Sequence, residues 1–183
     1  MDLVYFLGRL HVVVLHLPIA VVLVTVGFEL ISSRTRFASF RSVLPTLWLL
    51  TASTAVLTAA LGLLHAQEDI QGHWVDSHRL AGLSFAALAT AAWALRTWNW
   101  RGFTLVRLPL FGALIVLITL TGHYGGNITH GSAYLFEYAP ESVRHLAGAT
   151  PRARPKVTDL AHADAYLDLI DPIFRARCTR CHS

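Results

Sequence analysis

The sequence predicts an all-α membrane protein, an up-down bundle of four transmembrane helices followed by a helical tail, and three observations predict it. Of 183 residues, 54% are hydrophobic and 14% charged, against about 45–50% and about 25% in an ordinary soluble domain. The apolar residues gather in four blocks, Leu10–Ile31, Val43–His65, His78–Leu95 and Thr104–His123, each near the roughly 20 residues that carry a helix across hydrocarbon at about 1.5 Å per residue. Most of the acidic residues fall outside those blocks. A soluble enzyme does not fit this pattern.

The first block is read as a retained helix. Met1–Gly8 carries Asp2 and no basic cluster, and the apolar run after it is too long for a signal peptide and has no small-residue cleavage site. The third block is rich in alanine (Ala81, Ala86, Ala87, Ala89, Ala91, Ala92), which lets neighbouring helices approach closely. Gly122–Gly131 closes the fourth span, and its glycines predict either a loop folding back over the bundle or a plain helix stop.

A net charge of +4 does not point to nucleic acid, because the basic residues are scattered in short loops and a linker. They do give an orientation. Arg34, Arg36 and Arg41 lie in the first loop and Arg96, Arg101 and Arg107 in the third, with no acidic residue in either; Glu68, Asp69 and Asp76 oppose Arg79 in the second. Basic residues are retained on the cytoplasmic side, so both termini are expected outside, in the periplasm for a bacterial inner membrane.

With that topology His16, His65, His78 and His123 fall at the periplasmic ends of the four spans, with His11, His73 and His130 near the same level and none in the cytoplasmic loops. Histidine inside a membrane bundle is costly unless bonded or ligating, and facing helices build cofactor sites from inward side chains. His16, His65, His78 and His123 are therefore the expected axial ligands of a b-type haem, paired across the bundle as His16 with His78 or His65 with His123, with His11, His73 and His130 in second rank. Ala20 and Gly82, four residues inward of His16 and His78, offer clearance for a macrocycle. His11 and His16, like His73 and His78, are five apart, about 140° around a regular helix, so one of each pair serves another purpose. Glu29 is read as a snorkelling or serine-bonded residue.

Residues Glu141 to Lys156 are rich in Arg, Ala and Pro and read as an extended tether. Helical spacing resumes from Asp159 to Ile170, and Asp171-Pro172 opens a second short helix. It leads into Cys178-Thr179-Arg180-Cys181-His182, the C-x-x-C-H pattern for covalent haem c, with two thiols for the vinyl groups and His182 for the iron. Zinc would want two further ligands, and a dithiol redox site a thioredoxin-like surround. Met1 is the only methionine, so a distal ligand from within this chain would be a histidine, His162 or His145. The expected division is 1–123 membrane bundle, 124–156 exit loop and linker, and 157–183 the start of a cytochrome c domain.

Asp171-Pro-Ile-Phe-Arg-Ala-Arg-Cys-Thr-Arg-Cys-His-Ser resembles the opening of the planctomycete-type cytochrome c domain. Leu10-His-Val-Val-Val-Leu-His-Leu-Pro-Ile-Ala, Gly122-His-Tyr-Gly-Gly-Asn-Ile-Thr-His-Gly-Ser-Ala-Tyr-Leu and Tyr138-Ala-Pro resemble an uncharacterised four-helix membrane family often fused to it. The resemblance covers nearly the whole chain. It implies a bacterial membrane-anchored cytochrome encoded with respiratory or sugar-oxidising systems, and supplies no reaction. Domains of that type continue for many tens of residues past the attachment site, so more chain or a partner subunit is expected to complete the haem c pocket.

The expected function is electron transfer between one b haem, or two, in the bundle and one c haem on the tail, as a subunit of a larger redox complex instead of a free-standing enzyme. Expected partners are the membrane, other subunits and a periplasmic electron carrier, with quinol as a further candidate near Glu68, Asp69 and Asp76. Two alternatives stay open: a haem-b-free anchor or docking subunit tethering a cytochrome c, and a copper or zinc site built from the histidine ring.

Overall fold

Four long apolar helices carry the architecture. The computed structural model describes residues 2–68, 72–98, 102–131, 134–136, 139–147 and 163–177. Its long helices are α1 (Leu3–Ser32), α2 (Leu44–His65), α3 (His73–Thr97) and α4 (Phe103–His130), each long and apolar enough to cross a membrane. Two short helices follow, α5 (Glu141–Leu146) and α6 (Asp171–Arg177), and no strand occurs among the described residues. The chain divides into two compact units, Met1–Gly125 and Gly126–Ser183.

In the first unit the packing follows membrane logic, in which lipid gives no hydrophobic drive between helices and small or polar residues set the contacts. Thr25 and Thr51, both fully buried, bring their hydroxyls to 2.9 Å between α1 and α2. Each also bonds a carbonyl of its own helix, Val21 O at 2.7 Å and Leu47 O at 2.9 Å. At Gly8 the two helices nearly touch: a Cβ there would meet the main-chain nitrogen of His65 at 2.7 Å. Along α3, Ala81, Ala86, Ala89 and Ala92 turn inward around buried Phe85, while Ala87 and Ala91 face out. Trp48 stacks on Phe111 of α4 with ring centroids 5.9 Å apart. Leu23, Leu49, Val56, Leu105 and Val116 lie on the outside, where acyl chains would cover them.

Helix α1 is locally tightened at Leu10, whose N–H bonds Leu7 O three residues back. Pro18, buried in the next turn, has no N–H for Val14 O, so the ladder is interrupted there.

Three expectations change. The glycine-rich segment after His123 is neither a loop nor a helix stop, because α4 runs on through Gly125 and Gly126 to His130. The left-handed turn comes at Gly131, with φ +86°. Glu141–Leu146 is a helical turn following Pro140, with Glu141 where a helix start favours negative charge, so the tether is not extended throughout. In the second unit the Asp164 carboxylate accepts from the main-chain N–H groups of Tyr166 and Leu167, both at 2.8 Å, and caps a single π-helical segment, Ala165–Ile170. Helix α6 starts at Asp171 with Pro172 in its first turn, as the sequence predicts.

Candidate functional site

Among the described histidines, two bring their rings together inside the first unit. The rings of His11, on α1, and His78, on α3, meet at 89° with centroids 6.1 Å apart. Both are half-buried. His11 Nδ1–H donates to the main-chain carbonyl of Thr58 on α2 at 2.9 Å, and His78 Nδ1–H donates to that of Thr121 on α4 at 2.9 Å. A carbonyl can only accept, so both rings carry a proton on Nδ1, which in a neutral imidazole leaves the Nε2 lone pair for another partner. All four long helices thus contribute to one pair of oriented imidazoles.

Two glycines make the space. A Cβ at Gly62 would come within 3.0 Å of His11 Nδ1 and Cε1, and one at Gly125 within 3.2 Å of His78 Cε1. The Thr58 hydroxyl, buried beside His11, bonds no group among the described residues, so a polar atom is left over at the site.

The remaining sequence-selected residues are distributed as follows. His65, at the end of α2, is half-buried, with its main chain against Gly8 of α1. His16 is exposed on the outer face of α1. His123 joins an aromatic group with Trp74 and Tyr124, at centroid distances of 6.5 Å and 5.8 Å, and exposed His73 packs on Trp74 at 5.2 Å. His130 and His145 are exposed in the second unit. Asp76 pairs with Arg79 at 2.8 Å on the surface. Cys178, Cys181, His182, His162 and Asp69 lie outside the described residues.

Sequence position alone ranks His11 below His16. The signal that reverses the order is Gly62: a glycine at the level of His11 on the neighbouring helix opens room for the inward ring.

At the opposite end of the same unit Glu29 is buried, and its Oε1 accepts from Trp48 Nε1 at 3.0 Å and Arg96 Nε at 2.8 Å. The Ser32 hydroxyl bonds the Glu29 carbonyl oxygen, not its carboxylate. Glu29 is therefore an interior ion-pair partner and not a snorkelling residue.

Against protein-family models, curated proteins and solved structures, the chain matches none. The site must be read from its own geometry.

Among the described residues no set of three or more His, Cys, Asp or Glu converges to hold a metal ion. A closed zinc site needs four protein ligands. A haem brings four equatorial nitrogens of its own and asks the protein for axial ligands, for which imidazole is suited. The His11 and His78 centroids are 6.1 Å apart, close to the about 6 Å that two imidazoles would span with both Nε2 atoms turned to one metal at zinc-like bond lengths. The residues present fit a haem.

Proposed function

We propose that this chain is a membrane cytochrome of a bacterial inner membrane, with one b-type haem held between His11 and His78 and one c-type haem attached through Cys178, Cys181 and His182. The observation that carries the reading is the His11–His78 pair, with both Nδ1 protons engaged by main-chain carbonyls. A bound haem supplies a one-electron iron couple. The Thr58 and Thr121 carbonyls fix ring orientation and raise the basicity of the free nitrogens, as outer partners of metal-bound histidine do. Gly62 and Gly125 leave room beside the rings. With both groups bound, the membrane site and the C-x-x-C-H tail would serve one-electron exchange with a periplasmic carrier or a partner subunit.

Arginine placement sets the four spans with both termini in the periplasm, which puts His11 and His78 at the outer leaflet and the cysteines in the compartment where haem c is attached. The up-down bundle serves this arrangement by bringing α1 and α3 through the membrane in the same direction.

The test is a reduced-minus-oxidised spectrum with pyridine haemochrome quantification on detergent-purified protein, separating extractable from covalent haem. The expected result is one b and one c haem per chain. A c signal without b makes the four helices an anchor for a cytochrome c, and copper or zinc without b haem makes the histidines a metal-handling site.

A further inference from the structure

Helices α1 and α3 reach each other through side chains at two levels. At one level stand His11 and His78; at the other, Glu29 and Arg96. Glu29 follows His11 by 18 residues, and Arg96 follows His78 by the same 18. Eighteen residues are five turns at 3.6 per turn, about 27 Å of helix, so on the continuous α3 the arginine lies on the face that carries the histidine; on α1 the contacts themselves show that His11 and Glu29 both reach α3. That length nearly matches the hydrocarbon thickness of roughly 30 Å.

The Glu29–Arg96 pair is built as a lock. Glu29 is 4% exposed, and the Arg96 Nε to Oε1 distance is 2.8 Å. Trp48 of α2 donates to the same oxygen, and the Arg96 guanidinium lies 5.9 Å from the centre of the Phe103 ring at the start of α4. All four helices meet here as they do at the histidines. The buried Glu29 carboxylate is costly to leave without its cation, so the pair opposes sliding and rotation of α1 against α3. A slip of one residue would carry His11 about 1.5 Å along the axis and about 100° around it.

We infer that Glu29 and Arg96 are a positioning pair: their ion pair sets the axial and rotational register of α1 against α3, and so the opposition and 89° crossing of His11 and His78. The inference rests on the reading of those histidines as axial ligands.

The test uses the full chain in detergent with three readouts: b haem per chain, the midpoint potential of the b haem, and the low-spin electron paramagnetic resonance signal of the oxidised protein, whose anisotropy follows the angle between axial imidazole planes. Glu29→Ala and Arg96→Ala are expected to keep b haem while moving its signal and potential, the double variant moving them no further than either single one. Glu29→Gln, which retains an oxygen for both donors, restores the native signal. If the alanine variants do not accumulate, Arg96→Lys against Glu29→Gln carries the comparison, the first shifted and the second native. Native signal and potential in both alanine variants, or in Arg96→Lys, overturn the positioning role and leave the haem reading intact. Absence of b haem from the unmodified chain overturns the haem reading and this inference with it.

Discussion

His11 and His78 face each other with ring centroids 6.1 Å apart although they sit on the first and third of four long helices. Neither ring is placed by its own helix alone: α2 accepts the proton of one and α4 the proton of the other, at equal distances of 2.9 Å.

His11→Ala and His78→Ala are each expected to abolish extractable b haem while covalent haem survives, because two axial ligands act as a unit and one imidazole leaves the iron open on one side. His16→Ala, on the exposed face of α1, is expected to leave b haem at the level of the unmodified chain. Pyridine haemochrome assays on the three purified variants check this. Loss of b haem in His16→Ala with retention in His11→Ala would reverse the ligand assignment.

The helices themselves were legible from hydropathy, since four apolar blocks separated by short charged loops have few other solutions in a chain of this composition. Their ends were less so: the glycines at 122, 125 and 126 read as breakers, yet the helix runs through all three, and Gly125 lies beside the His78 ring. The choice between His11 and His16 turns on which side of α1 faces inward. Periodicity is weak evidence for that when lipid-facing and core-facing residues are both apolar, and here the core even holds the more polar set, Thr25, Glu29 and Thr51. The Glu29–Arg96 pair was hidden for a related reason. Arg96 read as a loop cation, and nothing local says that α3 extends far enough to turn it inward.

Space beside the rings gives a second expectation. Gly62→Ala places a methyl 3.0 Å from the His11 ring, and Gly125→Ala one 3.2 Å from the His78 ring, whereas a Cβ at Gly27 meets nothing within 4 Å. Overpacking costs about 1–3 kcal/mol, and replacing glycine by alanine in a helix returns about 1 kcal/mol. Gly62→Ala should therefore lower b haem occupancy most, Gly125→Ala less, and Gly27→Ala should raise thermal stability in detergent without touching the spectrum. Haem titration and thermal denaturation of the three variants provide the ranking.

Interior hydrogen bonds should rank in a similar way. Trp48→Phe removes the indole donor to the buried Glu29 carboxylate, a bond to a charged group for which about 1.5–3 kcal/mol is typical, and it also shrinks a fully buried ring stacked on Phe111. Thr25→Val removes one hydroxyl of the Thr25–Thr51 pair, and Thr51 keeps Leu47 O as an acceptor. Membrane hydrogen bonds of this sort average about 0.6 kcal/mol. Denaturant unfolding in mixed micelles should show Trp48→Phe several-fold more damaging than Thr25→Val, and equal losses would mean that Glu29 does not depend on its indole donor.

The two proposed haem sites should also separate cleanly by mutation. Cys178, Cys181 and His182 belong to the tail, whereas His11 and His78 are held within the first unit by hydrogen bonds that involve only its own helices. Cys178→Ser with Cys181→Ser removes both thiols that could bond to a porphyrin, so haem-dependent peroxidase staining of the denatured chain should vanish, while the extractable b signal persists. His182→Ala leaves the thioether chemistry available and removes the proximal imidazole, so staining should remain with a shifted reduced spectrum. Loss of the b signal in the cysteine variant would tie the membrane site to the tail, and would mean that the pair at His11 and His78 does not hold its haem by itself.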